Sequence, residues 1–120
     1  MAEQWETDYG YSDAVRSGDL LFCSGQVGLE EDGSVPSDPV RQYELAFETL
    51  GTLLGKHGAG PQDIVELTTF HTDYPNHMAD FMAVKAKFQG DARPAWTAIG
   101  AAALGMPGIL VEIKATARIA

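Results

Sequence analysis

The tightest constraint on the fold lies near the C-terminus. Val111, Ile113, Ala115, Ala117 and Ile119 are apolar at every second position. A β-strand sends successive side chains to opposite faces, so this run predicts a strand over 110–119 with one apolar face. Glu112 is thereby assigned to the other face. A one-residue slip in pairing would reverse that assignment, and the length of the alternation argues against a slip.

The remaining segments supply partners for this strand. Two short runs, 13–16 and 20–24, flank Gly18-Asp19, a hairpin signal. Residues 28–39 are rich in Gly, Pro, Ser, Asp and Glu and read as an exposed loop. Asp38-Pro39 then pairs an N-cap with a first-turn proline, and Val40, Tyr43, Phe47, Leu50 and Leu54 follow one helical face until Lys56-His57-Gly58 stops it. The β-branched run 64–72 predicts a strand. Tyr74-Pro75-Asn76 breaks that strand, and Asn76 is expected to cap a second helix through about Phe88, with Met78, Phe81, Val84 and Phe88 along one side. A strand at 96–101 and a turn at 105–108 complete the chain. The order predicts a single α+β domain over 1–120 with two helices against one face of a sheet. Leu20 to Cys23 offer apolar groups to both faces, so the uncovered face is expected to meet another subunit. Patterning alone leaves dimer and trimer open.

Charge narrows the partners. Eight Lys and Arg against seventeen Asp and Glu give a net charge of −9, which repels phosphate backbones and anionic lipid. No nucleic acid and no membrane partner is expected, and no stretch has spanning length. Cys23 is the one cysteine, so no intrachain disulfide forms; a buried structural thiol is expected. The opening residues 1–6 lack the apolar core of a signal peptide, and a cytoplasmic location is the expectation. His57, His71 and His77 have no ligand-like spacing, and the glycines of 51–60 interrupt or end a helix instead of opening one. Neither a metal nor a cofactor is expected.

The segment Gly18-Asp19-Leu20-Leu21-Phe22-Cys23-Ser24-Gly25-Gln26-Val27 closely resembles the GDLLFxSGQ signature of the RidA/YjgF family. The helix around 43–54, the strand from Asp63 to Phe70 and the ending Gly108 to Ile113 occur in that family's order and spacing. The resemblance implies a chorismate-mutase-like fold with a mixed sheet, two helices on one face, and a homotrimer whose sheets form a central barrel with three inter-subunit clefts. It also implies hydrolysis of reactive enamines and imines to ammonia and a keto acid, without metal or cofactor. Tyr11, Ser24 and Gly25 match residues that line the cleft and contact a small-molecule ligand. Glu112 matches the acidic residue proposed to position or activate water. Where deaminating members read Pro-Ala-Arg, this chain reads Pro94-Ala95-Trp96. A guanidinium binds a carboxylate through a planar fork; an indole offers one donor and a flat apolar face. Arg93, three residues earlier, is expected to point away from Trp96 in an extended segment. Met82 adds apolar character on the second helix, so the ligand is expected to depend less on a carboxylate.

Each of these residues also has a plainer reading. Glu112 is either a solvated or Lys114-paired strand residue or a partly desolvated proton carrier. Trp96 is a packed aromatic or a cleft wall. Tyr11 is an interface aromatic or a phenol that orients a heteroatom. The leading function is hydrolysis of an imine, enamine or activated carbonyl compound, with water positioned by Glu112. The alternative is a non-catalytic metabolite-binding trimer. A ribonuclease or translation inhibitor conflicts with the −9 charge.

Overall fold

A computed structural model describes residues 2–119 of the protein, and side chains from residue 4 onward. Its elements run α1 (Ala2–Tyr9), β1 (Ala14–Ser17), β2 (Leu20–Gln26), α2 (Pro39–Lys56), β3 (Ile64–His71), α3 (Met78–Gln89), β4 (Ala95–Gly100) and β5 (Val111–Arg118). The sheet order is β1-β2-β5-β3-β4. Only β3 and β4 are parallel, and α3 supplies the crossover that a parallel pair requires. The hairpin β1–β2 turns at Gly18, whose φ of 63° lies in the left-handed region.

The alternation in β5 produces the expected face. Val111, Ile113, Ala115 and Ala117 are buried with Leu21 and Cys23 of β2 and Leu67 of β3, against Tyr43, Phe47, Leu50 and Leu54 of α2. From α3, Phe81 inserts between Tyr43, Phe47 and His71. Both long helices therefore cover one face. On the opposite face Phe22, Val65 and Ile99 remain 45%, 39% and 40% exposed. Among the described residues, no helix is long and apolar enough to cross a membrane.

Two local readings change. Asn76 does not cap α3: its amide donates to Asp73 Oδ1 at 2.9 Å within the preceding turn, and His77, at φ 66°, takes the cap position without a side-chain bond. The Asn76 side chain is committed backward, so it is not available to the helix. The chain also opens with α1, which periodicity did not reveal because this short polar segment carries only Trp5 and Tyr9 as large apolar residues, four apart on one side. Asp38 and Pro39 behave as expected, the Asp38 carboxylate accepting from Val40 N at 3.1 Å.

Candidate functional site

The site starts from an irregularity in β2. Pairing with β5 shifts between Cys23 and Gln26, so Cys23 and Gln26, three apart, are both buried. The extra residue is a β-bulge, which re-aims the backbone at Ser24-Gly25. Gly25 thereby lies over Glu112 of β5, and a Cβ at position 25 would run into the Glu112 carboxylate. Glycine here makes room for an acid.

Glu112 has no hydrogen bond or ion pair among the described residues, so the pairing with Lys114 is not formed. Burial raises its pKa above the ordinary carboxylate value. It forms one wall of a cavity of 720 Å³ together with Tyr11, Ser24 and Gly25. Val27, Met106 and Ile109 add apolar surface, and Trp5 and Tyr9 enter from α1. Among the described residues, no lysine, arginine or histidine lines it. The Tyr11 phenol is held above its usual pKa first by burial and then by the negative charges of Asp13, Glu6 and Glu112. The Ser24 hydroxyl donates to Ser12 O at 2.6 Å, and its N–H donates to Asp13 O at 2.7 Å, so Ser24 fixes the segment that carries Tyr11.

Two clamps hold the rim. Gln42 of α2, fully buried, accepts from Leu110 N at 2.5 Å and donates to Gly108 O at 3.2 Å. Thr72 donates to Ile109 O at 2.8 Å. On the other side, Glu6 ties α1 down by accepting from Asp13 N at 3.0 Å. Trp5, Tyr9, Met106 and Gln42 were not singled out from sequence. The i,i+4 pair Trp5 and Tyr9 was a visible signal, whereas the two-sided bond of Gln42 across 66 residues left none.

Trp96 is not in this cavity. It pairs with Leu67 across β3–β4 and shares the helix-covered face, opposite to Glu112. Its indole N–H donates to Thr69 Oγ1 at 3.0 Å, and Thr69 Oγ1 lies 2.7 Å from His71 Nε2. An accepting Thr69 oxygen leaves its own proton for a neutral His71, whose pKa burial lowers. Above the indole sits Lys85 of α3, its Nζ 4.2 Å from the ring centroid. Arg93 precedes β4 and donates to Gly90 O and Ala92 O instead of approaching Trp96. Met82 is half exposed on α3 and outside the cavity. Cys23 faces the core, and burial pushes its thiol up to about 11.

A second groove of 550 Å³ runs beside α2 between Asp13 and Lys56. Across it Arg41 is paired with Glu30 at 3.1 Å, and at its end burial raises the pKa of Asp13 as well. No group of three or more His, Cys, Asp or Glu among the described residues is arranged to hold a metal ion.

The family described as endoribonuclease L-PSP matches residues 1–119. The RutC family protein YjgH of Escherichia coli is 46% identical over 113 residues, covering 93% of this chain and 85% of that protein. The 2-iminobutanoate/2-iminopropanoate deaminase of Mus musculus is 36% identical over 113 residues, covering 89% of this chain and 79% of that protein. A solved structure of YjgH superposes with a TM-score of 0.84 at 45% identity, covering 95% of this chain and 87% of that one.

Proposed function

The chain belongs to the RidA/YjgF family, and from that membership we propose that it hydrolyses an imine, enamine or activated carbonyl compound at the Glu112 cavity. The observation that carries the reading is Glu112 itself: a desolvated, unpaired carboxylate facing a cavity, with a glycine opposite that leaves space for it. Similarity to a mouse imine deaminase supports the reaction class. An elevated pKa brings a carboxylate closer to the pH at which it both takes and gives a proton. Glu112 removes a proton from water as the water oxygen adds to the imine carbon. It returns that proton to nitrogen to give a carbinolamine, then takes the carbinolamine hydroxyl proton and passes it to the amine as the carbonyl forms and the C–N bond breaks, releasing ammonia and a carbonyl compound. Tyr11 orients the heteroatom from the opposite wall.

The assembly we propose is a homotrimer that covers Phe22, Val65 and Ile99 and sets its clefts between subunits. In one chain Trp96 and Glu112 lie on opposite faces, so a neighbouring copy is what would bring a Trp96 edge to a Glu112 cavity. With Trp96 in place of an arginine fork, the substrate class is altered. The lone buried Cys23 suits a reducing, cytoplasmic setting.

Ammonia release from a panel of imines and enamines, with and without carboxylates, tests the reaction. Release that requires Glu112 is expected; binding without release from any member would favour the non-catalytic trimer, to which the missing fork at Trp96 lends its support. Despite the nuclease name of the family, RNA cleavage is disfavoured by the −9 charge. Light scattering at micromolar concentration tests the trimer, and a stable monomer would overturn it.

A further inference from the structure

The surroundings of Lys85 are not explained by the hydrolysis proposed above. Its residue is only 9% exposed, yet no carboxylate among the described residues pairs with it. A buried ammonium is costly unless something answers its charge, and the indole face of Trp96 answers it in part. Burial, and after it the charge of Arg93, hold the Lys85 pKa down. One turn along α3, Gln89 Oε1 is buried without a hydrogen-bond partner. In a chain where acids outnumber bases by 17 to 8, this corner gathers two cations and an unanswered acceptor, and among the described residues no acid is paired with Lys85.

Sequence spacing shows why the lysine is held there. Phe81, Lys85 and Phe88 share one stripe of α3, packed toward the core. A lysine in such a stripe would ordinarily extend its head to water. Here the head stops over the Trp96 ring, which the Thr69 hydroxyl fixes in orientation.

We propose that Lys85, carried on the indole face of Trp96, is the residue that binds the carboxylate of the ligand. The assignment rests on the proposed assembly, in which this edge of one copy closes the Glu112 cavity of another. The charge absent at position 96 is thus supplied from position 85. The contact is a single ammonium instead of a planar fork. A rigid indole beside it, and Trp5, Tyr9 and Tyr11 in the facing 720 Å³ cavity, select a flat, conjugated or aromatic body. The substrate class is therefore an imino or enamino acid with such a side chain, and the expectation of weaker dependence on a carboxylate is reversed.

Binding of trans-cinnamate and of its neutral isostere cinnamamide, measured by calorimetry on the assembled protein, tests this. Wild type is expected to prefer cinnamate by about tenfold or more, since the ion is paired in a desolvated place. Lys85→Met should erase the preference, Lys85→Arg should keep part of it, and both variants should retain the wild-type oligomeric state. Equal or absent binding of the two probes by wild type would overturn the assignment, as would a preference that survives Lys85→Met. Dissociation of the Lys85→Met assembly would also overturn it, by showing that the counter-ion belongs to a neighbouring copy. A Lys85-dependent preference without ammonia release from any imine would sink the hydrolysis and leave this assignment standing; Glu112-dependent release indifferent to the substrate carboxylate would do the reverse.

Discussion

Glu112 and Lys85 are both withdrawn from water without an opposing charge, but their surroundings differ. Glu112 borders open space: Gly25, packed over it, has no side chain to crowd it, and the cavity beyond is lined by aromatic and apolar groups with acids nearby. Lys85 is packed against a ring and has a second cation for company. Burial moves both toward their neutral forms, the acid upward and the amine downward. Each region thus has what the other lacks. They occupy opposite faces of one sheet, so a single chain cannot join them. The difference teaches what the proposed trimer would have to do: bring the cation of one copy to the acid of another.

The largest effect is expected from the acid side. Glu112→Gln preserves shape but cannot take a proton at neutral pH, so turnover should fall by roughly 10²–10⁴-fold. Thermal stability should hold or rise slightly, because a desolvated charge has been removed. Single-turnover ammonia release measures the first and a melting curve the second; an unchanged rate would reduce Glu112 to an interface residue. From the cation side, Trp96→Arg places a guanidinium beside Lys85, Thr69 and His71, none of which offers it a negative charge. A loss on the order of 3 kcal/mol is expected, the scale for an uncompensated buried charge. Denaturant unfolding checks it. Full stability, with restored turnover of small imino acids, would show that the two cations are less crowded than the geometry indicates.

Much of this comparison was legible in the sequence, unequally on the two sides. The β5 alternation set Glu112 on the open face, and the signature Gly18 to Val27 contained Ser24 and Gly25, while Tyr11 came from the family resemblance outside it. These are local signals, carried by residues adjacent in the chain. Trp96 was legible as a substitution but not as a location, because the side it faces follows from parallel pairing with β3, which no local pattern encodes. Lys85 fell in the apolar stripe with Phe81 and Phe88, but a lysine between aromatics ordinarily reads as an edge residue with its head in water. The bulge that aligns Gly25 with Glu112 was also invisible, since it emerges only when β2 meets β5. The pattern gave element types and faces well; long-range register escaped it.

A mid-sized effect is expected where the bulge meets the acid. Gly25→Ala drives a methyl group into the Glu112 carboxylate, and the backbone or the carboxylate must move. Overpacking of this kind costs about 1–3 kcal/mol. If the carboxylate is what moves, turnover drops while stability stays near wild type; if the backbone moves, both fall. Paired melting and rate measurements separate the two. No change in either would mean that the cavity is looser than its lining suggests.

The smallest effects should appear in the pH dependence of stability, where the two faces pull in opposite directions. The folded pKa of Glu112 is raised, so below the ordinary value of 4.5 both folded and unfolded states hold the proton and Glu112 costs nothing. As pH rises from there through the raised value, the unfolded state ionises first and stability declines. Replacing Glu112 by Gln should therefore raise the melting temperature at neutral pH, and the gain should vanish below 4.5. His71, on the helix side, has a lowered pKa. As pH falls through its ordinary value of 6.5, the unfolded state takes up the proton first and stability declines. His71→Gln should remove that decline, so its melting profile should be flatter than wild type between neutral and mildly acidic pH, even if its absolute stability is lower through loss of packing on Phe81. Difference profiles cancel the titrations common to both proteins. A Glu112→Gln gain that persists unchanged below pH 4.5 would show that relief of desolvation is not its source, and the acid side of the comparison would have to be rebuilt on packing alone.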